Sequence, residues 1–195
     1  MSNLVMTSDQ ILASARSFIV SGGYNGFSYA DIAGVVGIRK ASIHHHFPSK
    51  VDLVRTLVAR HREQTEAGMA ELERKVPDPL ALLQTYAGYW AKCIEDATIP
   101  FCVCALLASE LPALPPEVAV EVRAYFGFLS SWLTEVMRRG AEKGVLQFDG
   151  SAEVEAEIFI ATVHGAMLSA RACGNPALFD AILTPTVRRL STKIH

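Results

Sequence analysis

Apolar residues recur along this chain at the three-to-four-residue spacing of helices, and strand-like alternation never persists beyond a few positions. Ile11, Leu12, Ala15, Phe18 and Ile19 share one helical face, and Gly22 with Gly23 closes that helix. Ser28 followed three residues later by Asp31 forms a capping box that opens a second helix. Ile32, Val35 and Val36 are expected to face inward there, with Gly37 as its stop. A short third helix carries Ile43 and Phe47 as its apolar pair before Pro48 breaks the chain. Ser49 caps a long helix on Leu53, Leu57, His61 and Gln64, which runs to about Lys75.

The pattern continues helical beyond the loop at Val76-Pro-Asp-Pro. Leu83, Ala87, Trp90 and Ile94 line a helix from Leu80 to about Glu95, and Pro100 is expected to start a shorter one through about Glu110. The segment from Leu111 to Pro116 holds three prolines and cannot be regular helix. A long helix follows to about Lys143, with Val118, Val122, Tyr125, Leu129 and Val136 inward. Ser151 opens an acid-rich helix start at Glu153 and Glu155, and that helix ends at Gly174-Asn-Pro. The last helix spans about Ala177 to Leu190, where Pro185 should kink or shorten it. The fold class is all-α, with about nine helices and no internal repeat.

With 195 residues and 50% hydrophobic content, the chain can bury a large core, which excludes disorder as its main state. The apolar excess also calls for buried surface beyond one monomer's core, in a dimer interface or a ligand cavity. No uncharged stretch reaches the roughly 18 residues of a membrane helix. Met1 to Gln10 carries no basic apolar leader, so the expected location is the cytoplasm. Cys93, Cys102, Cys104 and Cys173 lack the spacing of a disulfide scaffold and are read as reduced thiols.

Charge is distributed unevenly. Residues 1–62 hold seven basic groups against three acidic ones, a surplus of four, whereas residues 63–195 carry 11 basic and 17 acidic groups. A basic head on an acidic body points to a polyanionic partner for the head. Within it, a capped helix, a tight turn and a short basic helix make a helix-turn-helix. The outward side of its second helix holds Arg39, Lys40, Ser42, His44 and His45, donors suited to base edges and phosphates. Ala41 is small enough for close approach to a groove. His44, His45 and His46 point in three directions on a helix and cannot chelate one ion together, so no metal is assigned, and His46 is the one expected to turn inward. Cys93, Cys102 and Cys104 likewise lack the spacing of a zinc site. No phosphate loop or nucleophile motif supports an enzyme, and no cofactor is expected.

Residues 8–53 resemble the DNA-binding head of TetR-family transcriptional regulators, most specifically in the run from Asp31-Ile32-Ala33 through Gly37 to His45-His46-Phe47-Pro48-Ser49-Lys50. The segment Arg138-Arg139-Gly140-Ala141-Glu142-Lys143-Gly144-Val145-Leu146 resembles the family's body. The resemblance implies a DNA-binding domain over residues 1–50 and a ligand-binding and dimerisation domain over 51–195. It also implies a homodimer that binds a near-palindromic operator in double-stranded DNA and leaves it when a small-molecule effector binds. The third helix would enter the major groove, while Ser28, Tyr29 and Lys50 would grip phosphates. This chain departs from the family in carrying His44 where tyrosine is usual and Phe27 where threonine is common.

For the effector, the candidate lining is Gln64, Tyr86, Trp90, Cys93, Cys102, Phe126 and His164, each of which is also an ordinary core residue by type. Cys102 offers a second mode of switching, because a thiol at a helix N-terminus favours the thiolate and would sense electrophiles or oxidants. At 100° per residue, Cys102 and Cys104 should face different sides. Ala161, Gly165, Ser169 and Cys173 form a row of small residues spaced four apart, suited to close helix packing across a dimer interface.

Overall fold

Amphipathic periodicity and local stop signals produce the helices almost where the sequence places them. The computed structural model describes residues 3–97, 99 and 101–192. Among them are α1 (Asn3–Gly22), α2 (Tyr29–Val36), α3 (Lys40–His46), α4 (Lys50–Lys75), α5 (Pro79–Glu95), α6 (Val103–Ser109), α7 (Pro116–Glu142), α8 (Ala152–Cys173) and α9 (Ala177–Leu190). The proline-rich segment adds a 3-10 turn at Leu111–Ala113, and an isolated bridge joins Leu146 to Ser191. Pro100, expected to start the sixth helix, lies outside the described residues.

Packing divides the chain into two compact units. The first comprises Met1–Gln64 with Cys102–Tyr125, and the second Thr65–Phe101 with Phe126–His195. This division differs from the functional one expected at residue 50, because α6 and the start of α7 belong with the first three helices. In the first unit α1 packs on α2 and α6, and α2 packs on α3. Its core is built from Ile11, Ala15, Ile19, Ile32, Ile43, Leu53, Val54, Val58 and Leu107, all buried. Each large aliphatic side chain buried this way contributes about 1.5–3 kcal/mol.

Val35 departs from the expected pattern. It is 68% exposed, while Tyr29 and Ile32 bury the inner face of α2. Successive residues turn 100° around a helix, so Val35 lies well to the side of a face defined by Tyr29, Ile32, Ala33 and Val36.

The second unit packs α9 against both α8 and α5. Tyr86, Trp90, Leu133, Phe159, Met167, Phe179 and Leu183 are buried in it. Glu155 of α8, only 2% exposed, is paired with Arg189 of α9. Pro185 does not shorten α9, which runs on to Leu190 as one helix.

The turn between α1 and α2 is close-packed. A Cβ placed on Gly26 would collide with the backbone carbonyl of Gly22. Gly34, inside α2, faces open space. Gly26→Ala should therefore cost about 1–3 kcal/mol, since backbone must move to admit the methyl group. Gly34→Ala should instead gain roughly 0.5–1 kcal/mol by lowering the entropy cost of helix formation. Urea unfolding of the two variants checks the opposite signs.

Candidate nucleic-acid interface and effector region

The helix-turn-helix is set from below. Ser28 caps α2: its side-chain oxygen accepts from the Ala30 amide at 3.2 Å, and its own amide donates to Asp31 Oδ2 at 2.7 Å. Gly37, with φ of 73°, ends α2 and turns the chain toward α3. Ile43 and Phe47 are buried on the inner side of α3. The hydroxyl of Tyr29 donates to the Phe47 carbonyl at 2.9 Å, which ties the start of α2 to the end of α3. Burial pushes the Tyr29 phenol up to about 12, with the nearby Asp52 charge adding to the effect.

On the opposite side Arg39, Lys40, Ala41, His44 and His45 are exposed and Ser42 is half-exposed. These six positions form one continuous outward surface around a seven-residue helix. Its donors can hydrogen-bond phosphates and base edges. The His44 ring packs on Tyr29 with centroids 4.8 Å apart, and its Nδ1 lies 3.2 Å from the Pro48 carbonyl. A carbonyl partner fixes the proton on Nδ1 and leaves Nε2 facing outward. His46 is half-buried against His45 and Phe47.

Each of the three phosphate-gripping candidates has an internal partner. The Tyr29 side chain is buried and committed to Phe47, so only its backbone amide at the start of α2 is available to an anion. The Ser28 hydroxyl is committed to the capping box, donating to Asp31 Oδ2 at 2.7 Å. These hydrogen bonds hold the Asp31 carboxyl below its usual range and keep a negative charge at that helix start. Lys50 is turned inward. Its ammonium donates to the Phe27 carbonyl at 2.5 Å and lies over the rings of Phe27 and Tyr24, 4.1 and 5.0 Å from their centroids. Partial burial pulls its pKa below the usual lysine value. Phe27, the residue that replaces the family's threonine, supplies both the carbonyl and a ring for this ammonium.

Of the seven effector candidates, two lie in the first unit and five in the second. Gln64 is exposed, because the buried residues of α4 end at Val58. Cys102 is buried in the first unit, its thiol 3.6 Å from the Tyr125 hydroxyl. Tyr86, Trp90 and Cys93 follow one another on the buried face of α5 in the second unit. Phe126 and His164 pack edge to face at 5.4 Å in the same unit. Trp132, which the sequence pattern did not single out, stands 5.9 Å from Tyr86. The Trp132 indole N–H and His164 Nε2 are buried without a hydrogen-bond partner among the described residues. A separate groove of about 1070 Å³ runs between α5 and α9, lined by Leu80, Gln84, Ala87, Leu183 and Val187 among others, and none of the seven candidates borders it.

The expected separation of Cys102 and Cys104 does not hold. Cys102 is 0% exposed, so a reagent in solvent has no open path to it. Cys104 is also fully buried, and burial together with the hydrogen bond its thiol donates to Cys102 pushes that thiol well above the usual range. The two thiols therefore meet rather than face apart. Cys102 is the extended N-cap of α6, with ψ of 120°, so the helical 100° step does not relate it to Cys104. Cys173 is the exposed thiol.

On α8, Ala161 and Gly165 are exposed and Ser169 is half-exposed. They lie along an exposed apolar seam completed by Val154, Ile158 and Leu168. The steps 154, 158, 161, 165 and 168 alternate four and three, the spacing of a helix that packs against another along its length.

If Lys50 holds the turn at Phe27, Lys50→Met should lower the stability of the free protein by about 1–2 kcal/mol through the lost charged hydrogen bond and ring contacts. Denaturant unfolding without DNA checks this. A lysine serving phosphate alone would leave that stability unchanged.

Comparisons with known proteins place this geometry. The family model described as bacterial regulatory proteins, tetR family, matches residues 11–57. A crystal structure of a TetR-family transcriptional regulator from Agrobacterium tumefaciens is 59% identical, with a TM-score of 0.95, covering 97% of this chain and 100% of that one. The HTH-type transcriptional regulator CymR of Pseudomonas putida is 32% identical over 73 residues, 37% of this chain and 36% of its own. The HTH-type transcriptional repressor BepR of Brucella suis biovar 1 (strain 1330) is 26% identical over 165 residues, 82% of this chain and 78% of its own. With helix-turn-helix, all-helical architecture and near full-length identity in agreement, this chain belongs to the TetR family of transcriptional regulators.

Proposed function

We propose that the protein is a homodimeric repressor whose residues 1–50 bind a near-palindromic operator in double-stranded DNA, and whose remainder dimerises and binds a small-molecule effector that releases it. The observation that carries the DNA reading is the outward surface of α3, where Arg39, Lys40, His44 and His45 stand exposed over a buried Ile43 and Phe47. Repression follows the likeness to BepR, a named repressor. The role is binding and release, with no chemical step assigned. No helix among the described residues is long and apolar enough to cross a membrane. The DNA-binding reading implies a cytoplasmic location.

The effector reading favours a reversibly bound, largely apolar molecule in the second unit. The buried aromatic face of α5 at Tyr86 and Trp90 supplies apolar surface. The unpartnered Trp132 indole N–H suits an acceptor atom on the ligand. The burial of Cys102 favours this over a covalent electrophile or oxidant switch at that thiol.

The α8 seam supports the dimer. A Cβ on Gly165 meets nothing within 4 Å among the described residues. Gly165→Leu should therefore leave the subunit folded but disrupt packing of two α8 helices at a cost of about 1–3 kcal/mol. Light scattering should show monomers, or a dimer that dissociates at higher concentration than wild type. A dimer of unchanged stability would place the interface elsewhere.

DNA binding is tested by fluorescence anisotropy on a duplex enriched from a randomised pool. Affinity should fall steeply with salt. Lys40→Ala should weaken binding by roughly 1 kcal/mol or more, and the slope should flatten by about one unit if Lys40 meets a phosphate. Failure of the wild-type protein to enrich any sequence would remove the operator reading.

A further inference from the structure

Glu110 has no local task. It follows α6, its own amide closing that helix on the Leu107 and Ala108 carbonyls, and its side chain makes no cap bond to the 3-10 turn it precedes. Its carboxylate instead reaches a backbone 86 residues away in sequence. Glu110 Oε2 accepts from the Tyr24 amide at 2.8 Å. The same carboxylate fills the space where a side chain on Gly23 would stand, and Gly23 is held at φ of +76°, a conformation that glycine adopts readily. The α1–α2 turn thus has a site shaped for this one carboxylate.

The other end of the turn is held as well. Lys50 bonds the Phe27 carbonyl and covers the rings of Tyr24 and Phe27. Phe27 immediately precedes Ser28, the cap from which α2 starts, and α2 carries α3. A turn held at the Tyr24 amide by the residue that ends α6, and at the Phe27 carbonyl by α4, has little freedom to let α2 and α3 pivot together.

We propose that Glu110 is a positioning residue for operator recognition: its carboxylate, on the Tyr24 amide, sets the orientation of α2 and α3 from α6 without touching DNA. This rests on the DNA reading above. Charge alone predicts the reverse effect, since removing an acid from a DNA-binding unit tightens binding at every sequence. A positioning role weakens binding only where base contacts need exact placement.

The test compares Glu110→Ala, Glu110→Asp and Glu110→Gln by fluorescence anisotropy on two duplexes, one enriched by the wild-type protein from a randomised pool and one scrambled. Helix content and unfolding midpoint are followed by circular dichroism. Glu110→Ala should lose between roughly two- and thirty-fold in affinity for the enriched duplex, with scrambled binding unchanged or tighter. Glu110→Asp keeps the charge but withdraws it by one methylene, and should behave like Glu110→Ala. Glu110→Gln retains an oxygen acceptor and should stay near wild type. A wild-type ratio of enriched to scrambled affinity in both Glu110→Ala and Glu110→Asp would overturn the inference alone. So would equal weakening on both duplexes with loss of helix content, which marks a purely structural residue. If wild-type protein enriches no sequence, the DNA reading fails and this inference fails with it.

Discussion

Seven residues are too few to hold a helix in water, because nucleation costs more than so short a run of hydrogen bonds returns. The α3 helix also lacks a side-chain cap at its start. Its existence therefore depends on contacts from beneath: Ile43 and Phe47 in the core, and the Tyr29 hydroxyl on the Phe47 carbonyl. Because these inward groups carry the helix, its outward positions are released from structural duty and can hold Arg39, Lys40, His44 and His45.

The same division of labour explains why the first unit reaches beyond residue 50. The α1–α2 turn is secured by residues distant in sequence, Lys50 at one end and Glu110 at the other. In the second unit, apolar contacts between α5, α8 and α9 form the core, while the seam from Val154 to Leu168 is exposed among the described residues. Exposed apolar side chains at regular helical steps fit a partner helix better than solvent. The proposed partner surfaces differ in kind, one basic and polar, the other apolar and narrow.

Local signals were legible in the sequence. The Ser28–Asp31 box, the Gly37 stop and the Gly174 stop act within one turn of helix, so their residue types suffice to place them. The buried faces of α1, α5 and α7 were equally readable, since those helices are long enough for periodicity to define a side. In the eight-residue α2 the phase was set by Tyr29, an amphipathic residue assigned outward, and Val35 was consequently misplaced. The inward setting of Lys50 was not legible, because a charge within a basic head suggests a phosphate, whereas its carbonyl and ring partners at Phe27 and Tyr24 lie more than 20 residues away. Two settings were harder to read: Gln64 is exposed because the buried residues of α4 end before it, and Cys102 sits at a cap, where helical geometry has not begun. Nothing local announces Glu110, whose partner is 86 residues distant.

In the proposed mode of binding, α3 presents its outer side to DNA while its inner side holds it in place. Backbone amide shifts measured by NMR as an enriched duplex is added to the protein test this most directly. The largest changes are expected at Lys40, Ala41, Ser42, His44 and His45, with the α8 seam unaffected. Changes centred on α8, or none along α3, would contradict it.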